Sequence, residues 1–224
     1  MLDLAPDDLI VTEAELRDRF AAPSRLATLK QLDWLDHNCR RFIALSPFLC
    51  LATARPDGLA DNSPRGDAPG FVQVLDERTL LIPDRPGNNR LDSMSNIIHD
   101  PNVALLFLIP GVTETLRVNG RARLTTSPEL LARFEVRGRT PKVAIVVEVV
   151  EAFLHCSKAL IRSRLWEDDA KVDRKALPTL GRMIADAVDR QTEPTTVAEY
   201  DRIIERNIEE QLYCARRWCC ISDG

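Results

Sequence analysis

The 224-residue sequence is poor in the residues that announce most chemistries. Its three histidines, His37, His99 and His155, are scattered, and its six cysteines form no C-x-x-C pair, so no metal-ligand spacing is present. The cysteines read as free thiols, several of them packed as small hydrophobes, with adjacent Cys219 and Cys220 exposed near a frayed tail. Aromatic residues make up only 5% and the net charge is -4, which leaves neither the stacking surface nor the basic field that nucleic acid requires. No apolar run approaches the roughly 20 residues of a membrane span. The acidic start, MLDLAPDDLI, lacks the basic and apolar regions of a secretory signal, so the expected location is the cytoplasm. G-x-G-x-x-G, the P-loop, H-E-x-x-H and G-x-S-x-G are all missing.

What is present is a foldable core, 45% hydrophobic, in a length that suits one domain with appendages. Leu26, Leu29, Leu32, Leu35, Cys39 and Phe42 recur at helical steps, predicting one amphipathic helix from Ser24 to Pro47. The period then changes. Phe48–Ala54, Phe71–Val74, Thr79–Ile82, Val103–Ile109, Thr115–Thr125 and Ala144–Val150 read as six strands, the last with an alternative end at His155. Val103–Ile109 is continuously apolar and suits a strand buried on both faces. Arg90–His99 reads as an inserted helix with Leu91, Met94, Ile97 and Ile98 on one side, and Ser127–Phe134 as another. Helices are also expected at 157–165, Leu177–Arg190 and Thr196–Arg217. Strands segregated in this way favour an antiparallel sheet or barrel over a βαβ fold.

Four polar segments interrupt these elements. Asp61–Asp67 reads as a turn-rich loop, either solvated or facing a ligand. Arg85–Ser93 joins a strand to a helix, so it either caps that helix or offers its N–H groups and arginines to a phosphate. Arg117, Arg121 and Arg123 alternate along one strand face, which is either a solvated surface or one that needs an anion or carboxylate partner. His155–Trp166 gathers cations beside an aromatic, fitting a charged surface helix or the mouth of a site for a flat anion.

In chain order, SPRGD, LLIPDRPGNNRLDSMSNI, NVALLFLIPG, ETLRVNGRARL and LHCSKALIRSRLW resemble the pyridoxamine-phosphate-oxidase-like FMN-binding split-barrel proteins, and more narrowly a bacterial subgroup of FMN-dependent enzymes. These pieces span residues 63 to 166. The resemblance implies a mainly β fold: a six-stranded antiparallel split β-barrel over residues 47–166, with helical extensions at 1–46 and 167–224. It also implies a homodimer that binds FMN at its interface. Gly87-Asn88-Asn89-Arg90 occupies the family's phosphate-holding junction, making Arg90 the expected phosphate ligand and Asn88 and Asn89 its hydrogen-bond donors. Arg65, Gly66 and Asp67 correspond to the segment that follows the flavin ring and ribityl chain. Thr115 or Arg117 is expected near the FMN, from the same chain or from the partner subunit. Lys158, Arg162 and Trp166 would shape a mouth for an anionic substrate.

The chain departs from the true pyridoxamine-phosphate oxidases in two places. Their substrate-gripping C-terminal segment is replaced by LHCSKALIRSRLW, and their Gln-Ser flavin segment has no match near Pro141-Lys142. The resemblance therefore supports the flavin better than it supports vitamin B6 oxidation. The expected activity is FMN-dependent hydride transfer involving a small anionic substrate. No general acid or base stands out. The alternatives on the same barrel are a non-catalytic flavin or heme carrier and a deazaflavin-dependent reductase.

Overall fold

The computed structural model describes residues 2–188 and 197–212; Cys214, Cys219, Cys220 and the expected ends of the last two helices lie outside them. Seven strands form one antiparallel sheet: β1 (Phe48–Thr53), β2 (Asp61–Gly66), β3 (Gln73–Val74), β4 (Thr79–Pro83), β5 (Asn102–Leu108), β6 (Thr115–Thr125) and β7 (Ala144–His155). Their order is β2-β1-β5-β6-β7-β4-β3. The expected count of six is corrected to seven by β2, which the sequence presents as a polar loop. Its register with β1 runs from Thr53↔Asp61 to Phe48↔Gly66. This strand is held by its neighbour's ladder, not by its own propensity, and its position at the edge of the sheet tolerates Pro64. Of the expected strand Phe71–Val74, only Gln73 and Val74 pair; Phe71 and Val72 are buried core residues instead.

The strand buried on both faces is β4, not β5. Leu80 and Ile82 enter the main core, while Leu81 packs in a second cluster with Leu131, Phe134 and Ala144. That second cluster lies under the short helix α5 (Pro128–Ala132). In β5, Val103, Leu105 and Phe107 are buried, while Ala104, Leu106 and Leu108 are only half-buried. An apolar run alone cannot distinguish these cases, because the second face is covered by elements distant in sequence.

The sheet curls until its two ends meet. Arg65 of β2 pairs with Asp84, just beyond β4, and Asp67 pairs with Arg85. Among the described residues no backbone ladder joins β2 to β4, so side chains make this closure.

The single helix expected from Ser24 to Pro47 is two. Ser24 does cap α2 (Arg25–Leu29), accepting from the Ala27 N–H at 3.3 Å, but Leu26 and Leu29 are 78% and 61% exposed. The chain leaves the helix at Lys30 so that Leu32 can exchange backbone hydrogen bonds with Ala152 of β7, at 3.0 and 2.8 Å. Extended pairing there gives β7 a partner beyond the reach of β4. The second helix, α3 (His37–Leu45), is capped by Asp36 and buries Cys39, Phe42 and Ile43 against the sheet. Ahead of both lies α1 (Glu13–Asp18), closed by a Thr12–Glu15 capping box.

Between β4 and β5 sits α4 (Asp92–His99), which buries Met94 and Ile97 but leaves Leu91 and Ile98 exposed, contrary to the expected stripe. After β7 come α6 (Lys158–Ser163), α7 (Leu180–Val188) and α8 (Val197–Gln211). Asp201 of α8 accepts from Thr179 Oγ1 and the Gly181 N–H, at 2.9 and 3.0 Å, joining the last two helices. Among the described residues no helix is long and apolar enough to cross a membrane.

Candidate functional site

A cleft of about 760 Å³ opens between β2 and the segment that leads from β4 into α4, with the Arg139–Lys142 turn on a further side. All six residues of β2 line it. Asp61, Ser63 and Arg65 alternate with the more exposed Asn62, Pro64 and Gly66. Gly66 also has a packing reason to lack a side chain, since a Cβ there would lie 3.3 Å from the Pro47 carbonyl oxygen.

The opposite wall is the junction expected from the sequence. Asn89 and Leu91 both adopt left-handed backbone, φ 56° and 62°, and Asn88 Oδ1 accepts from the Arg90 N–H at 3.1 Å. A left-handed leucine costs roughly 1–2 kcal/mol. Among the described residues no side chain caps the start of α4, which leaves its first-turn N–H groups available to an anion.

The charges of the cleft are largely matched internally. Arg65 Nη1 lies 3.1 Å from Asp84 and Arg85 Nε 2.7 Å from Asp67, with all four side chains about one-fifth exposed. Arg85 also donates to the Phe134 carbonyl at 2.9 Å. Arg90 lines the cleft but is 73% exposed, and its Nε donates to Asp92 at 2.8 Å. The hydrogen bond and charge of Asp92, and more weakly the charge of Asp61, hold the Arg90 guanidinium above its ordinary pKa. Arg139 and Lys142 line the cleft with no ion pair among the described residues. Arg139 is fixed by a tight turn: it exchanges two 3.0 Å backbone hydrogen bonds with Val136 across Arg137 and Gly138, both at positive φ.

Of the residues singled out from sequence, Arg65, Gly66, Asn88, Asn89 and Arg90 meet in this cleft, and Asp67 reaches it through Arg85. Thr115 and Arg117 lie elsewhere, on the outer face of the sheet. There Glu151 accepts from Arg117 at 2.9 Å and from Asn119 at 2.9 Å, and Gln31 binds its other oxygen. Glu151 thus partners Arg117, while Arg121 and Arg123 are exposed and make no ion pair among the described residues. Arg117 also stacks 4.2 Å from the Phe153 ring centroid. Burial, then the charges of Arg117 and Lys30, hold His155 below its ordinary pKa. Lys158 and Arg162 are exposed on α6, and Trp166 Nε1 donates to the Val112 carbonyl at 2.8 Å; none of the three lines the cleft.

The sequence reading raised Asp61, Ser63 and Arg85 only as members of candidate segments, and it missed Asp84, Arg139 and Lys142. The available signal was period two within 61–66, obscured because the residues are polar on both faces.

The outer face that carries Arg117 runs back to the cleft. Register places Pro64, Cys50, Leu106, Arg117 and Phe153 in one row across β2, β1, β5, β6 and β7. At about 4.8 Å per strand, Arg117 stands roughly 14 Å from the cleft-lining Pro64. Phe48, Cys50, Ala52, Ala104, Leu106 and Leu108 make the intervening surface apolar and only partly covered.

Comparison with known proteins gives one family and several solved structures. The family described as pyridoxamine 5'-phosphate oxidase matches residues 35–156, more than half of the chain. No curated protein matches the sequence. Among solved structures, HupZ from Group A Streptococcus is 17% identical, with 53% of this chain and 92% of that one covered and a TM-score of 0.43. An FMN-binding protein from Syntrophomonas wolfei is 12% identical, covering 52% and 83%, with a TM-score of 0.42. General Stress Protein 26 from Bacillus anthracis is 17% identical, covering 51% and 88%, with a TM-score of 0.40.

Proposed function

The chain belongs to the pyridoxamine 5'-phosphate oxidase family, and we propose that it is an FMN-dependent oxidoreductase whose cofactor lies in the cleft between β2 and the start of α4. The observation that carries this reading is the donor set: an uncapped helix start beside Asn88, Asn89 and Arg90, facing a strand that contributes Arg65. These groups fit a flavin mononucleotide. The N–H groups of the first turn of α4, the Asn88 and Asn89 side-chain amides and the Arg90 guanidinium would hold the phosphate. Arg65, whose buried Nε has no hydrogen-bond partner among the described residues, and Gly66 would flank the ribityl chain and ring, with Asp67 keeping Arg85 in place. FMN, when bound, supplies a two-electron centre that exchanges hydride with a substrate.

The reading extends to a homodimer. The apolar outer face beside the cleft would be covered by a second copy, bringing Thr115 or Arg117 toward the partner's cofactor. Lys158, Arg162 and Trp166, which lie apart from the cleft of their own chain, would then shape a substrate mouth in the assembled pair. The substrate is proposed to be a small anion, received by cations that the cofactor leaves free.

The test is to purify the protein, record its visible spectrum and titrate it with FMN. Flavin bands, or saturable quenching of FMN fluorescence, are expected. Arg90→Ala should weaken FMN binding roughly ten- to a hundredfold. Absence of FMN binding overturns the cofactor, and unchanged affinity in the variant removes Arg90 from the site.

A further inference from the structure

We propose that residues 2–31 form an arm received by a second copy of this chain, with residues 2–10 seated in a groove between the end of α4 and β6. The contact lies outside the cofactor cleft and does not depend on the flavin reading.

The arm is folded locally but packed on nothing. Each of its 30 residues is exposed, including Leu4, Leu9, Ile10, Val11, Leu16 and Phe20. Its turns are nonetheless formed. Pro6–Asp8 makes a 3-10 turn, and in the capping box of α1 Glu15 Oε2 accepts from the Thr12 N–H at 3.1 Å and Thr12 Oγ1 from the Glu15 N–H at 3.2 Å. At six residues α1 is far below the roughly 12–15 that a helix needs to stand alone in water. It therefore requires a surface to lie on, and its bare apolar side chains are of the kind that marks an interface. An arm of this length also matches the roughly 20–30 residues that each side of a standard protein interface supplies.

The arm is the acidic part of the molecule. Residues 2–18 carry Asp3, Asp7, Asp8, Glu13, Glu15 and Asp18 against Arg17 alone, a net of -5, while the whole chain carries -4. Everything outside residues 2–18 therefore sums to +1.

The groove has the complementary character. It encloses about 570 Å³ and is lined by Ile97, Ile98, Pro101 and Leu124 together with Arg121 and Arg123. Ile98 is 72% exposed. Both arginines are exposed and make no ion pair among the described residues. Glu148, opposite Arg121 across the β6–β7 ladder, leaves the groove with one positive charge in excess. The segment that bears Asp7 and Asp8 fits this combination: Leu4, Leu9 and Ile10 cover the apolar floor while the two carboxylates meet Arg121 and Arg123.

The receiving groove belongs to the other copy. The arm is rooted where Leu32 pairs with Ala152 of β7, and Glu148 lies four residues back along that strand, roughly 13 Å away. Its own groove is thus within easy reach, yet no described residue of the arm lines it. The outer face of β6 that carries Arg117 continues through Asn119 to Arg121 and Arg123, so the groove extends the surface proposed above for the homodimer. Two-fold symmetry makes the exchange reciprocal, each arm filling the other copy's groove.

The experiment uses two full-length copies, co-expressed with different affinity tags and purified through both. One copy carries the photoreactive residue p-benzoylphenylalanine in place of Leu9. Irradiation should give a band of doubled mass on a denaturing gel, with mass spectrometry locating the link in residues 97–101 or 121–124 of the other copy. Arg121→Glu with Arg123→Glu in the receiving copy should lower that yield at least about tenfold, since like charges then face Asp7 and Asp8. Asp7→Arg with Asp8→Arg in the arm should restore it. Links confined to the arm's own chain, links to another surface, or a yield that charge reversal leaves unchanged or the arm variant fails to restore overturn the arm exchange and leave the homodimer reading standing. Failure of the wild-type copies to purify as a pair overturns both.

Discussion

Asp67 and Arg85 meet at 2.7 Å, so the chain just after β2, at one end of the sheet order, is tied to the chain just after β4, one strand in from the other end. The neighbouring pair, Arg65 with Asp84, runs in the reverse sense, acid and base exchanged between the two segments. These side chains close a sheet that, among the described residues, no backbone ladder closes there.

Asp84→Asn should therefore destabilise the fold. The pair is about one-fifth exposed, between a surface pair worth under about 1 kcal/mol and a buried one whose breaking costs roughly 3–5 kcal/mol, so a loss of about 1–3 kcal/mol is expected. Urea unfolding measures it. A double-mutant cycle with Arg65→Met should show coupling, and additive losses would mean that the contact carries no interaction energy.

Gly120 marks the register shift between β6 and β7. A Cβ there would collide with the Glu148 carbonyl oxygen and lie 2.9 Å from Val147 Cγ1. Backbone cannot step aside as a flexible side chain can, so Gly120→Ala should cost about 1–3 kcal/mol. Gly111→Ala offers a contrast of a different kind, with open space around it but a φ of 83°. Thermal unfolding that leaves Gly120→Ala at the wild-type midpoint would contradict the bulge geometry.

Thiol reactivity should differ sharply between two cysteines. Burial, and then the Asp36 carboxylate, push the Cys39 thiol up to about 12, whereas the Lys158 N–H and the Lys158 and Lys30 charges lower that of exposed Cys156. Only the thiolate reacts appreciably. Iodoacetamide at neutral pH, read by peptide mass spectrometry, should modify Cys156 and spare Cys39 in the folded protein; the reverse order would refute the assignment.

His155 makes stability depend on pH in a definite direction. Burial and two cations depress its folded-state pKa, while the unfolded chain takes up the proton at about 6.5. Between those values the unfolded state binds more protons, so stability is full above about pH 6.5 and is lost as pH falls toward the folded-state value. The urea midpoint of the wild type should drop more between neutral and mildly acidic pH than that of His155→Gln. Equal drops would show that carboxylates alone carry the trend.

The sequence by itself determined where the long strands lie. β6 matches the alternating stretch Thr115–Thr125 residue for residue, and β7 takes the longer of its two possible ends, because period two and β-branched residues are local properties. It also determined the strand-to-helix junction at Asn88–Arg90, through the turn-forming residues that precede α4. Tertiary structure decided the rest. It made a strand of polar Asp61–Gly66 by lending it the ladder of β1, and it ended α2 at Leu29 to give β7 a partner. It covered both faces of β4 rather than β5 with helices and loops from elsewhere in the chain. It also drew Asp61, Asp84, Arg85, Arg139 and Lys142 into one cleft. Periodicity reports which face of a segment is apolar, but only packing between segments distant in sequence decides what covers that face and which charges meet.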